Sequence, residues 1–461
     1  MQGFTVTGRE DPAKEDVNQR VLNFEEIYRF FNNRVVRRQA ERCVQCGDPF
    51  CTAIGCPLQN YIPQWLEAIA EKDLEKAFLL CNETSPFPEI LGRICPHNRL
   101  CEGACTLDDG YGAITIGAIE ASITDLGFRA GFKLPFPGLT RGKKVAVVGS
   151  GPAGMSCAHF LLRAGIEVVM FERSDIPGGL LACGIPGFKL DKSTVSHRFD
   201  IMQQAGLTLQ LNTAVGSDLS LSRLVTDFDA VFLGLGATNG KRAGIPNEDH
   251  EQVYLAMEFL TSVQRRLAGR SWMERFAVLG KRVVVVGGGD TAMDCVRTAV
   301  REGAESVTCL YRRDADNMPG SSKEFHNAAE EGVHFLFNEA PTRVVLDEQG
   351  NLVGIDAVRT RLGEPDDSGR QRVEEVADSD HCVPADVIIM ALGFDQEPHP
   401  FLEQEGIKLQ QWGNIKVNAE GRTSHEKIFS GGDCHRGADL AVTAAAEGRT
   451  AAFGIMKQLL E

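Results

Sequence analysis

Apolar residues recur at helical intervals through FEEIYRFFNNRVVRRQAERC (residues 24–43) and through IPQWLEAIAEKDLEKAFLLC (62–81), where Pro63 suits a helix start. Both stretches predict helices, and residues 1–142 read as a mostly helical domain. It ends in FKLPFPGLTRGK, whose prolines and glycines mark a linker. The pattern then changes. KKVAVVGSGPAGMSCAHFLLRAGIEVVMFER (143–173) reads as strand, glycine turn, helix, strand, and the plan recurs 138 residues later in KRVVVVGGGDTAMDCVRTAVREGAESVTCLYRR (281–313). Continuous Val-rich strands that each feed a helix predict parallel sheets covered on both faces, so the fold class is α/β with two dinucleotide-binding domains. VEEVADSDHCVPADVIIMALGF (373–394) reads as one further strand. KIFSGGDCHRGADLAVTAAAEGRTAA (427–452) reads as a strand running into a small-residue helix.

A net charge of −15 argues against duplex DNA or an anionic membrane as partner. MQGFTVTGRE lacks the basic-then-apolar pattern of a signal peptide, and no apolar run approaches the ~20 residues of a membrane span. These features predict a cytoplasmic protein. Arg34, Arg37, Arg38 and Arg42 form a basic run, read as a solvated helix face in preference to a docking surface.

The glycine turns carry the first chemistry. Gly149, Gly151 and Gly154 follow a hydrophobic strand and open a helix. The first permits the turn, the second lets a pyrophosphate approach the backbone, and the third lets helix and strand pack closely. Glu172, 23 residues after Gly149, stands where a carboxylate accepts from a ribose. The second turn is Gly287, Gly288, Gly289 and Ala292, and its next strand ends in Arg312 and Arg313 in place of an acid. Guanidiniums there suit a 2′-phosphate. The first site therefore reads as FAD and the second as NADPH. The alternatives are a turn without ligand and, for the arginines, a surface ion pair.

Eight of the 14 cysteines fall between Cys43 and Cys105. Without an export signal, metal binding is a better reading than a disulfide scaffold. Cys43, Cys46, Cys51 and Cys56 form one run ending in Cys-Pro; Cys95-Pro96, Cys101 and Cys105 form another. Zinc sites usually pair cysteines twice as C-x2–4-C; these runs resemble ferredoxin-type ligation, with zinc or inert thiols as the alternative. Cys81 lies outside the spacing and reads as a packed thiol. Cys157, Cys183, Cys295, Cys309, Cys382 and Cys434 are scattered singly, with no C-x-x-C redox pair. Cys183 lies in GGLLACGIPGFKL, near the expected flavin, where packing is favoured over redox work.

Taken together, FEEIY, QAERCVQCGDPFC, ICPHNRLCEGAC, GGLLACGIPGFKLDK, GGGDTAMDCVRTAVREGA, YRRD, NMPGS and GGDCHRGADL resemble the small chain of bacterial NADPH-dependent glutamate synthase, from about Phe24 to the C-terminus. The N-terminal half also resembles the electron-input region of dihydropyrimidine dehydrogenase. The resemblance implies two [4Fe–4S] clusters with crossed ligation: Cys43, Cys46, Cys51 and Cys105 on one; Cys56, Cys95, Cys101 and Glu120 on the other. Glu120 as a helix-surface carboxylate is the alternative. Further FAD contacts implied are Pro152, Ala153, Arg173, Gly179, Leu180, Pro186, Lys189, Gly236, Gly432, Asp433 on the ribityl chain, and Thr443. Asp290, Thr291 and Gly393 would join the NADPH site. The helix after Gly437 would aim its N-terminus at the flavin. Relatives commonly carry a tyrosine where Cys183 stands. The C-terminal strand and helix resemble the part of two-nucleotide flavoproteins that returns to the first domain. The expected division is thus 1–142 for the clusters, 143–275 and 391–461 for FAD, and 276–390 inserted for NADPH.

The implied activity is oxidation of NADPH at FAD, with electrons passed through the clusters and no conventional acid–base residue. Cys43 is the first cysteine after Met1-Gln2, so the N-terminal-cysteine glutamine hydrolysis of glutamate synthase is expected to reside in a partner, the large subunit. A sister oxidoreductase delivering electrons to ferredoxin or another acceptor is the second reading. A non-catalytic zinc- and nucleotide-binding regulator is the third.

Overall fold

The computed structural model describes residues 3–365 and 371–461, so Met1-Gln2 lies outside the described residues. The helical domain is built from α1 (Asn33–Ala40), α2 (Ile62–Ala70), α3 (Leu74–Thr84), α4 (Pro88–Ile94) and α5 (Ile116–Arg129). Two expected helices are shorter than their apolar pattern. Residues 24–31 are not helical, because Asn32 caps α1, its side chain accepting from the backbone N–H groups of Arg34 and Val35. The stretch 62–81 divides in two, because Lys72 adopts φ +74° and Asp73 caps α3. Helices α4 and α5 approach closely. A Cβ on Gly92 would lie 2.7 Å from Gly117 O.

The first α/β unit comprises β1 (Lys144–Val148), α6 (Pro152–Arg163), β2 (Glu167–Phe171), α7 (Lys192–Gln204), β3 (Thr208–Gln210) and β4 (Ala230–Leu233). The second comprises β5 (Val253–Leu255), α8 (Ala256–Leu267), β6 (Arg282–Val286), α9 (Asp290–Arg301), β7 (Ser306–Tyr311), α10 (Ser322–Glu330) and β8 (His334–Phe337). An antiparallel meander comes next: β9 (Glu339–Leu346), β10 (Leu352–Pro365), β11 (Gln371–Glu375) and β12 (His381–Pro384). Strand β13 (Val387–Met390) returns to the second sheet; β14 (Ile428–Ser430) and α11 (Ala441–Leu460) return to the first unit. The sheet orders are β14-β4-β1-β2-β3 and β8-β7-β6-β13-β5, both wholly parallel.

Two expectations change. The segment 373–394 is three strands, not one, because only 387–390 is apolar throughout. The second sheet also begins before residue 276: β5 and α8 belong to it, and the two-residue strands Asn239–Gly240 and Phe394–Asp395 pair where the chain crosses between units. Strand β5 is too short to give a periodic signal.

The helical domain and the first α/β unit share one continuous core containing Trp65, Phe78, Phe87, Phe160 and Phe199. Charged residues fasten the same boundary. Arg198 on α7 and Glu89 on α4 are ion-paired with side chains only 0% and 3% exposed, and Arg198 Nη2 also donates to Asn82 Oδ1 at 3.1 Å. Across the other boundary, Glu331 accepts from Arg20 at 2.9 Å, Arg297 at 2.8 Å and Arg301 at 2.7 Å. Burial opposes the Glu331 charge, but the hydrogen bonds of Arg297 and Arg301 outweigh it and hold its pKa at about 2. Among the described residues no helix is long and apolar enough to cross a membrane. Arg42, expected on a solvated face, is buried. Its guanidinium donates to the carbonyls of Thr7, Tyr111, Gly112 and Ala113.

Because Arg198→Ala leaves the Glu89 carboxylate buried without its cation, we expect a loss of about 3–5 kcal/mol in unfolding experiments. Replacing the pair together, as Arg198→Met with Glu89→Leu, should recover most of it. An Arg198→Ala unfolding curve matching wild type would refute the role of this pair.

Candidate functional site

One cavity of about 680 Å3 lies among all three domains. The β1–α6 turn supplies Gly149, Ser150, Gly151, Pro152 and Ala153; the segment after β2 supplies Glu172 and Arg173. Gly149 has φ +92°, and a Cβ on it would lie 2.2 Å from Gly234 O. A Cβ on Gly154 would lie 1.9 Å from Gly149 O, so helix and strand pack as the motif requires. Gly151 faces open space, where a pyrophosphate fits. Glu172 is buried at the end of β2. Its Oε2 accepts from Ser150 N at 2.9 Å and Ser150 Oγ at 2.5 Å. Gly179, Leu180, Lys189, Gly236 and Asp433 line the same cavity. Burial, with the charges of Asp439 and Glu447 nearby, pushes the Asp433 carboxyl up to about 7 against a backbone hydrogen bond.

Four expected flavin contacts stand back from the cavity wall. Gly154 packs the helix; Pro186 O accepts from Lys189 N; Gly432 N donates to Glu447 Oε2 at 2.8 Å; and Thr443 Oγ1 donates to Leu440 O at 2.7 Å. Cys183 does line the cavity, and burial raises its thiol pKa, which favours the inert neutral form.

From the second turn, Asp290 and Thr291 reach the cavity wall. Gly287 and Gly288 are buried behind them, Gly289 faces open space as Gly151 does, and Ala292 is fully buried. A Cβ on Gly287 would lie 2.3 Å from Ala391 O, and one on Gly288 would lie 2.5 Å from the Tyr311 ring. Gly393 has φ +92°, and its carbonyl accepts from Lys241 N at 2.9 Å. Arg312 directly follows β7 as Glu172 follows β2. Its side chain is exposed and, among the described residues, unpaired. Arg313 Nη2 donates to Gln371 O at 3.0 Å. The sequence did not reveal that Lys189 Nζ donates to Asp294 Oδ1 at 2.8 Å across the two α/β units. Asp294 stands one helical turn beyond Asp290, and that i, i+4 spacing was the available signal.

The cysteines divide into two groups. Cys43, Cys46, Cys51 and Cys105 line one small pocket of about 20 Å3, with Pro49, Phe50 and Leu66. Burial pushes the Cys43 and Cys51 thiols up to about 11 and 12. Cys56, Cys95 and Cys101 form the other group around Glu120; burial raises the pKa of all three thiols, and the Glu120 carboxylate adds to it. Glu120 is buried, which rules out a helix-surface role; Asn60 Nδ2 donates to its Oε1 at 3.1 Å. Burial and the charge of Glu89 push Glu120 up to about 8. A carboxyl so disfavoured as a free anion is well suited to a bound cation. Soft thiolates in both pockets suit iron–sulfur ligation. Cys81 is buried and packed. Cys95 and Pro96, with Arg93 and Ile94, also form part of the main cavity's wall. That juncture was invisible in the sequence.

Two family models match the chain: dihydropyrimidine dehydrogenase domain II, 4Fe–4S cluster, over residues 20–132, and pyridine nucleotide-disulphide oxidoreductase over 143–448. The glutamate synthase [NADPH] small chain of Escherichia coli is 48% identical over 99% of this chain and 98% of its own length, and that of Halomonas elongata 46% identical over 99% and 98%. The chain belongs to the glutamate synthase small-chain family. It is thus a pyridine-nucleotide oxidoreductase with an N-terminal 4Fe–4S domain. The putative oxidoreductase AegA of E. coli is similar too, 46% identical over this whole chain and 71% of its own. Among solved structures, Mycobacterium tuberculosis FprA in complex with NADPH shares the fold, at TM-score 0.58 and 20% identity over 69% of this chain and 85% of that one.

If the two cysteine groups hold separate clusters, Cys105→Ala should lose the same electron paramagnetic resonance signal as Cys51→Ala, and Cys101→Ala the other. Iron should fall from about eight to about four per chain in each case. Loss of one common signal in Cys105→Ala and Cys101→Ala would contradict the grouping.

Proposed function

We propose that the chain is the electron-input subunit of a glutamate synthase, oxidising NADPH and delivering electrons to a large subunit that makes glutamate from glutamine and 2-oxoglutarate. The observation that carries this reading is the single cavity whose wall includes the first glycine turn, Asp290 and Thr291 of the second, and Cys95. When bound, FAD accepts a hydride from NADPH, and the clusters relay electrons singly. The chain's own residues bind and position. Gly151 and the α6 N-terminus favour the flavin pyrophosphate, and Glu172 is positioned to take the ribose. Lys189 and Asp294 lock the two nucleotide units together at the cavity. Cys43, Cys46, Cys51 and Cys105 would hold one cluster; Cys56, Cys95, Cys101 and Glu120 the other. Cys95 in the cavity wall supports the second group as the one beside the flavin. No side chain is needed as acid or base, since orientation does most of the work.

A cytoplasmic setting suits the chain, whose 14 cysteines are all free. The family membership supports a large-subunit partner over the alternative acceptors.

The isolated chain, prepared anaerobically, should reduce an artificial dye with NADPH and form no glutamate. Arg312→Ala should raise KM for NADPH about 10-fold, leave NADH nearly unchanged and hardly alter kcat, because the contact is remote from the hydride. Arg313→Ala should do less, since one arm of Arg313 is already engaged by Gln371. A wild-type preference for NADH, or glutamate formation by the single chain, would overturn the reading.

A further inference from the structure

The start of α9, where the second glycine turn presents its backbone, is covered by a residue of the iron–sulfur domain. Arg99 Nη1 donates to Pro319 O at 2.7 Å, and Nη2 meets Asp290 Oδ2 at 3.4 Å. Arg99 stands on the short loop between Cys95 and Cys101, 191 residues before Asp290 in the chain. The other Asp290 oxygen accepts from Ser321 N at 2.8 Å, and Gly320 N donates to Gly288 O at 2.9 Å, so the loop carrying Pro319 is tied to the glycine turn. Lys323, two residues beyond Ser321, lines the cavity and lies over the Tyr28 ring at 3.7 Å, with no hydrogen bond or ion pair among the described residues.

Besides fastening the two domains, this arrangement prepares the site for an anion. A carboxylate at the first residue of α9 would repel a pyrophosphate approaching the helix N-terminus. Arg99 compensates that charge, and Lys323, with Glu324 beside it on the cavity wall, adds a second cation. Two cations thus stand beside Asp290 and the N-terminal end of a 12-residue helix, whose free backbone N–H groups favour an anion.

We infer that Arg99 and Lys323 grip the pyrophosphate of the pyridine nucleotide, so that its site is completed by the iron–sulfur domain and not by the second α/β unit alone. The inference rests on the proposed function only in taking α9 as the nucleotide site. Occupancy is then felt directly by the loop that carries Cys95 and Cys101. Since binding couplings are reciprocal, the state of that loop alters nucleotide affinity in turn.

Two measurements on the FAD- and cluster-loaded protein test this, with NADP+ as the probe. In calorimetric titration, Arg99→Ala and Lys323→Ala should each weaken NADP+ binding about 10-fold, as the loss of a charge-assisted contact does, with FAD and iron content unchanged. Arg312→Ala serves as the control for a contact wholly within the second unit. In hydrogen exchange on the wild type, NADP+ should slow the amides of residues 97–103 together with those of 287–292. Protection of 287–292 without 97–103, or wild-type NADP+ affinity in both the Arg99 and Lys323 variants while Arg312→Ala binds weakly, would overturn the inference and leave the proposed function standing. Failure of the wild type to bind NADP+ at all would overturn both.

Discussion

Electrons can pass among three domains only if the domains are held at fixed separation, and buried ion pairs provide that constraint here. Arg198 and Glu89 join the helical domain to the first α/β unit; Arg20, Arg297 and Arg301 converge on Glu331 to tie the N-terminal segment to the second. A hydrophobic core alone would resist separation without fixing orientation, because apolar contact is non-directional. Guanidinium–carboxylate pairs add direction. Further arginines serve the same purpose with backbone acceptors. Arg449 on α11 donates to Leu58 O and Thr84 O, and Arg163 on α6 to Glu83 O, so the first unit satisfies carbonyls of the iron–sulfur domain.

On that frame the two glycine turns are near copies, and they differ in the residue placed just past the next strand. Glu172 after β2 is buried and accepts hydrogen bonds from Ser150 and Ser174. Arg312 after β7 is exposed and, among the described residues, unpaired. Both turns contribute to one cavity wall, where Lys189 and Asp294 join the two units.

Much of this was legible in the chain. Local rules govern the glycine turns, so their spacing was enough to predict the strands and helices on either side. The crossed cysteine grouping came from family resemblance, and spacing alone would not have given it. What escaped the sequence depends on contacts distant along the chain. The basic run ending at Arg42 has the pattern of a solvated face, but Arg42 turns inward to backbone carbonyls 69 to 71 residues away. The first apolar stretch has helical periodicity, yet Asn32 starts the helix late because its side chain satisfies two free backbone donors. Strand β5 carries only three residues and takes its identity from β13 beside it. The presence of Cys95 in the main cavity's wall comes from domain packing, which no local pattern encodes.

Electron exit from the flavin past that cavity wall is the claim most open to direct test. The decisive measurement is rapid anaerobic mixing of the isolated chain with NADPH, following flavin and iron–sulfur absorbance, in wild type and in Cys101→Ala. The variant should keep wild-type flavin bleaching while reduction of its remaining iron–sulfur absorbance is slowed at least 10-fold, about 1.4 kcal/mol or more in barrier. Reduction of the remaining absorbance at the wild-type rate would contradict this, because electrons would then leave the flavin without passing the Cys95 wall.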